Sequence, residues 1–304
     1  MRYRTYLSIV ALVLAIGVSS CLKPNKRQKF MPINDLYKED VITPAIISDT
    51  AVSREFFYQL LNDFQEKYSP IVSQVGGQLV VHGDWQNPTV NAQANQADGL
   101  WNVLLFGGLA RRPEITKDGF TLVVCHEMGH HLAGYPFYSG SWGSTEGQSD
   151  YYSGMACARD FWIDDLSINA AYRSIIPDIP KKECDASWYD QENKDLCYRI
   201  MMAAKSTTNL LATLSGTSVS FKKRDATKVE KTYESHPLPQ CRLDTYMAAA
   251  ICISEWDISI IPGRDLFPNQ NSKEAEAIAA SITCSRFHGF KRGLKPLCWY
   301  APKN

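Results

Sequence analysis

Hydrophobic positions along the chain fall into distinct kinds of run. Residues 52–67, VSREFFYQLLNDFQEK, place Phe56, Phe57, Leu60, Leu61 and Phe64 at helical spacing opposite acidic and polar residues, which predicts an amphipathic helix. Two shorter stretches follow, GGQLVVHGDW and GLWNVLLFGG, apolar or alternating and bounded by glycine, asparagine and proline; they read as strands of a small sheet. TKDGFTLVVCHEMGHHLAG then offers Thr116 and Asp118 as caps, an apolar stripe, and Gly134 as a stop, which predicts a second helix. The glycine- and serine-rich YSGSWGSTEG is a loop. Thr145 and Gln148 have capping-box spacing, so another helix starts at Glu146 and runs to about Phe161. Helical patterns recur at 197–214 and 241–255, and the C-terminal end is rich in turn formers. The pattern is that of an α+β fold with a small sheet, in one domain over residues 46–304.

The N-terminus differs from this. Arg2 and Arg4 precede an apolar run from Tyr6 to Val18, too short to span a bilayer comfortably, so residues 1–20 read as an export signal. Its end, GVSSC, resembles a bacterial lipobox with valine where leucine is more usual. Cys21 would then carry the acyl anchor, placing the protein on a lipid bilayer, at the periplasmic face of a Gram-negative outer membrane. Residues 21–45, basic then mixed and carrying prolines, read as a tether. Composition excludes one class of partner: Lys plus Arg and Asp plus Glu both total 32, so no overall field draws nucleic acid.

Three of the six histidines lie in HEMGHH, residues 126–131. On a helix His126 and His130 share one face, a turn apart, and can bind one metal ion, with Glu127 beside them. This is the HExxH pattern: two imidazole ligands for one Zn2+ ion and a carboxylate to take the proton from water that zinc acidifies to a pKa of about 7. Helix geometry turns His131 away, to packing or support. A catalytic zinc needs a third protein ligand. EGQSD supplies Glu146 for that role and, one turn on, Asp150 to accept the other ring N–H of a ligating histidine.

Without Cys21, eight of the nine cysteines remain, an even number that suggests disulfides in an exported chain. Cys184 with Cys197 and Cys284 with Cys298 each close a short loop and are the favoured pairs. Cys125, directly before His126, and Cys157 are either a clamp between the two site helices or two packed thiols. No CxxC pair is present, which argues against a cysteine zinc site.

HExxH followed by ExxxD on a second helix is the gluzincin arrangement, and VNAQANQADGLWNVLLFGGLARRPEITKDGFTLVVCHEMGHHLAG resembles the HtpX and prenyl-protein-processing (Ste twenty-four) metallopeptidases, family forty-eight. The matching residues are Asn91, Ala92 and Ala94, then Gly108 and Leu109, then His126, Glu127 and His130; downstream, His236, Pro237 and Arg242 fit the family's HP-x4-R element. The resemblance covers roughly residues 75–160 and 232–245. It implies a zincin-like core; the helical patterns and the cysteines add a helical C-terminal part stapled by disulfides. It also implies a sheet edge at Asn91, Ala92, Gln93 and Ala94 that pairs with an extended polypeptide substrate. His236 and Arg242 would help stabilise the tetrahedral oxyanion. This chain departs from the family in its short interval from His130 to Glu146, its lack of multiple membrane spans and its many cysteines. The expected activity is zinc-dependent endopeptidase action on extended or misfolded periplasmic or outer-membrane polypeptides, with Glu127 as general base. The alternatives are a non-catalytic zinc lipoprotein acting as a binding or chaperone module, and a zinc amidase or glycan-processing enzyme of the cell wall.

Overall fold

The structure is a computed structural model and describes residues 27–38 and 51–303. Cys21 and the expected signal segment lie outside the described residues. The elements run β1 (Gln28–Lys29), α1 (Arg54–Gln74), β2 (Gln78–Asp84), β3 (Ala92–Ala97), β4 (Leu100–Phe106), α2 (Gly107–Ala110) and α3 (Lys117–Leu132). They continue with α4 (Glu146–Tyr152), a π-turn at Ser153–Cys157, α5 (Ala158–Trp162), α6 (Leu166–Ala171), α7 (Asp178–Asp185), α8 (Gln191–Leu214), α9 (Pro239–Ala250) and α10 (Lys273–Ser281). This is a mixed α+β fold around a four-stranded mixed sheet of order β1-β3-β4-β2. Strands β2 and β4 are parallel; β1–β3 and β3–β4 are antiparallel. Asp98 and Gly99, both at positive φ, close the β3–β4 hairpin in two residues, the mirror-image turn that matches strand twist. Among the described residues no helix is long and apolar enough to cross a membrane.

Helix α1 is longer than the pattern predicts. Ser53 caps it by accepting from the Phe56 amide at 3.1 Å, and Phe57, Leu60, Leu61, Phe64, Tyr68 and Val72 form its buried face. That face lies on β2, where Gly83 leaves room: a Cβ there would sit 2.3 Å from the Phe57 ring.

Helix α3 is the central element. Thr116 caps it at the Gly119 amide, and every residue from Asp118 to Leu132 is buried. A helix buried all round packs on several sides; here those sides are the sheet, α4 and α8. Asp118, foreseen as a cap, instead takes both forks of Arg199 from α8, at 2.8 and 2.9 Å. Gln148 does not complete the predicted capping box; its amide donates to Ala133 O at 2.9 Å, tying α4 to the end of α3.

Four disulfides staple the helical part: Cys125–Cys157, Cys184–Cys197, Cys241–Cys298 and Cys252–Cys284. The expected Cys284–Cys298 pair is therefore replaced by two longer closures. Trp299 is drawn fully into the core against Gly147 of α4, where a Cβ would fall 2.1 Å from its ring, and this carries Cys298 to the start of α9 instead. Residues 28–38 also depart from expectation. They are not a spacer: β1 joins the sheet, and Phe30 and Met31 are fully buried.

Near the C-terminus, the Lys295 ammonium lies 5.1, 5.7 and 6.0 Å from the ring centres of Tyr300, Tyr151 and Tyr135. Burial pulls its pKa down to about 7, against the pull of Glu276. The unfolded chain then binds this proton more tightly than the folded one. Stability carried by Lys295 therefore rises with pH from about 7 toward the ordinary lysine range and is lowest below 7. Lys295→Met, which keeps the apolar stem, should stabilise the fold by on the order of 2 kcal/mol at pH 6 and by much less at pH 10. Denaturant melts of both chains at the two pH values check this; equal gains would remove the charge from the explanation.

Candidate metal centre

Helical spacing sets the first two donors. His126 and His130 project from one face of α3, their rings edge to face with centres 4.8 Å apart. Helix α4 crosses that face closely because Gly129 has no side chain: a Cβ there would come within 2.9 Å of the Ser149 backbone. The crossing places Glu146, in the first turn of α4, over the pair. Its Oε2 is 3.3 Å from His126 Nε2, and its Oε1 is 3.6 Å from His130 Nε2.

These three residues form a group able to hold a metal ion, with all candidate ligand atoms within 4.8 Å of one another. Ligands at zinc-type bond lengths around a tetrahedron stand about 3.4 Å apart, close to both separations. The unpaired atoms agree with this. His126 Nε2, His130 Nε2 and Glu146 Oε2 are buried without a hydrogen-bond partner, as are both oxygens of Glu127. Buried polar atoms are normally paired, so a convergent set without partners fits a cation. Two imidazoles and one carboxylate, with no thiolate, suit a divalent transition metal, catalytic zinc among them.

The opposite ring nitrogens fix the tautomers. His126 Nδ1 donates to Asp150 Oδ1 at 2.7 Å, and His130 Nδ1 donates to Ser144 O at 2.8 Å with Ser149 Oγ at 3.0 Å, which leaves each Nε2 lone pair free. Asp150 is itself held by Arg242 Nε and Nη2, each at 2.6 Å, and by the Tyr246 hydroxyl at 2.5 Å. Arg242 and Tyr246 sit one turn apart on α9, so a third helix braces the first histidine. Tyr138 OH donates to Glu146 Oε1 at 2.8 Å.

The electrostatics differ from one donor to the next. Burial works against protonation of His126, yet the Asp150 carboxylate prevails and raises its pKa to about 9, so a cation taken up at Nε2 displaces a proton there. Burial holds His130 down to about 4. Glu146 stays well below the usual carboxylate range: burial opposes ionisation, but the surrounding histidines, His236 foremost, outweigh it. Burial lifts the unpaired Glu127 carboxyl to about 8.

The remaining foreseen residues divide. His236 Nε2 lies 3.6 Å from Glu146 Oε1, at the ligand group. Arg242 serves two partners: its Nη1 donates to Phe30 O at 2.7 Å, while Nε and Nη2 hold Asp150 and so position His126. Asn91, Ala92, Gln93 and Ala94 are not a free edge, because β1 already pairs with Gln93 and Ala94. His131 packs between Trp101 and Trp142 and donates Nε2 to Asn102 O at 3.2 Å, away from the donors. Tyr246 was not foreseen, although its i+4 relation to Arg242 carried the signal; Tyr138 and Phe30 had none that spacing could reveal. Neither protein-family models, nor curated proteins, nor solved structures contain a match to this chain.

Proposed function

We propose that the protein is a zinc-dependent endopeptidase with a zincin-like core, held at the periplasmic face of the outer membrane through Cys21 and acting on extended or misfolded polypeptides. The resemblance of its motifs to the HtpX and Ste twenty-four metallopeptidases supports this reading, and the disulfides fit an oxidising compartment. The observation that carries it is the convergence of His126 Nε2, His130 Nε2 and Glu146 Oε2, all buried and unpaired, beside the equally unpaired carboxyl of Glu127.

His126, His130 and Glu146 would hold the ion. A zinc there supplies Lewis acidity, acidifying water and polarising the scissile carbonyl. Glu127, whose two oxygens have no partner in the fold, would accept the proton of the attacking water and pass it to the leaving amine. Asp150, braced by Arg242 and Tyr246, keeps the His126 ring oriented. His236, beside Glu146 and partly exposed, is placed to donate to the developing oxyanion.

The test is metal content and its link to activity. The purified chain should carry one zinc, and hydrolysis of casein or a fluorogenic peptide should be lost on chelation and regained on adding zinc. A chain with no bound metal, or hydrolysis indifferent to its removal, would overturn the reading.

A further inference from the structure

The segment from Gln28 to Met31 crosses the face of the metal site in the manner of a bound peptide. It lies antiparallel to β3, with Gln28 opposite Ala94 and Lys29 opposite Gln93. The Phe30 amide donates to Ala92 O at 3.1 Å. Side chains hold each main-chain carbonyl that follows. His236 Nε2 donates to Lys29 O at 2.7 Å, Arg242 Nη1 to Phe30 O at 2.7 Å, and Asn91 Nδ2 to Met31 O at 2.9 Å, while Asn91 Oδ1 accepts from the Met31 amide at 3.2 Å. His236 and Arg242 also reach the ligand group: His236 Nε2 is 3.6 Å from Glu146 Oε1, and Arg242 Nη2 is 3.9 Å from Glu146 Oε2. The strap is thus one side chain away from the metal donors.

Its side chains complete the seal. Phe30 is fully buried, edge-on to the His126 ring at 5.2 Å and under the Arg242 guanidinium at 4.7 Å. With the strap in place, His126, Glu127, His130 and Glu146 are all 0% exposed, so no polypeptide reaches them. A catalytic centre that is shut must open, and the strap is a short two-residue strand at the sheet's edge. Gln28 is buried with its amide nitrogen unpaired, which works against its own binding.

We propose that residues 28–31 are a resident substrate mimic. They fill the β3 edge and the pocket beside His126, and their withdrawal admits an extended peptide bearing a large aromatic or apolar side chain where Phe30 now sits. Backbone pairing would give such a peptide its affinity and the Phe30 pocket its selectivity. The substrate role rests on the peptidase reading; the gating of the metal does not.

The test uses the full zinc-loaded chain and two variants, Phe30→Ala, which empties the pocket, and Asn91→Ala, which releases Met31 and leaves the ring in place. Three things are measured: the rate at which 4-(2-pyridylazo)resorcinol extracts zinc, the hydrolysis of fluorogenic peptides with a central phenylalanine or serine, and inhibition by a synthetic peptide of residues 27–38. Extraction and hydrolysis should each rise by about tenfold or more in both variants, as expected for a closed state that dominates at rest. The phenylalanine substrate should be preferred, and the 27–38 peptide should restore the block, while the same peptide carrying Phe30→Ala should not. Should Phe30→Ala fail to fold, Asn91→Ala carries the comparison. Folded variants with unchanged extraction and unchanged hydrolysis would make the strap a fixed part of the sheet and overturn the proposal. Faster extraction with no hydrolysis by any of the three chains would uphold the gate and overturn the peptidase reading instead.

Discussion

Glu127→Gln should abolish hydrolysis, lowering turnover by about a thousandfold or more, the scale on which a positioned general base acts, while zinc content stays at the wild-type level. The two effects separate because Glu127 is not among the three grouped donors. The substitution preserves shape and removes only the ability to take a proton. It should not unfold the chain: Glu127 is 0% exposed with both oxygens unpaired, so nothing that holds the fold is broken. Burial already disfavours the charged carboxylate, and a neutral amide relieves that strain. Turnover on a fluorogenic peptide and zinc per chain are the measurements. Equal hydrolysis by the two chains would rule out Glu127 as the base and with it the proposed chemistry.

Within the site, what could be read from sequence was what helix geometry makes local. His126 with His130, and Glu146 with Asp150, are each one turn apart, so each pair had to share a face. That two faces so furnished should meet was a chemical expectation, and in the structure they lie 3.3 Å apart at His126 and Glu146. Gly129 was the local sign that another element comes close, and Ser149 of α4 is what comes. The strands around Val80 and Val103 were legible for a similar reason, since alternation and bounding glycines are short-range signals.

What escaped depends on contacts distant in sequence. Phe30 and Met31 are two adjacent apolar residues in a basic, proline-bearing stretch, too few to set up a period. Nothing short of the assembled sheet shows that they close over Arg242, more than two hundred positions away. Arg242 was placed at the site by motif, but its direction is decided by Asp150, Tyr246 and Phe30 together. Proximity in sequence does not by itself decide which cysteines meet. Cys184 and Cys197 close a local loop as expected, whereas Cys298 follows the burial of Trp299 to Cys241.

Glu146→Ala should strip the chain of most of its zinc, and comparison with Asp150→Asn should rank a ligand above its support. Loss of a residue that orients a ligand typically weakens metal binding by about 10–100-fold; loss of the carboxylate ligand should exceed that range, and Asp150→Asn should fall within it. Asp150→Asn carries a second penalty. Arg242 is 1% exposed and its charge is neutralised chiefly by Asp150, with Glu146 Oε2 only at 3.9 Å, so the fold itself should weaken by about 3 kcal/mol. Glu146→Ala leaves that pair intact and should melt close to the wild type when both lack metal. The contrast can be read without any substrate. Zinc at a hundred times its dissociation constant stabilises a folded chain by about 2.7 kcal/mol, so added zinc should raise the melting temperature of the wild type, raise that of Asp150→Asn less, and leave Glu146→Ala unmoved. A Glu146→Ala chain that kept full zinc occupancy and the wild-type response would mean that the third ligand lies elsewhere. The helix crossing at Gly129 would then serve packing alone.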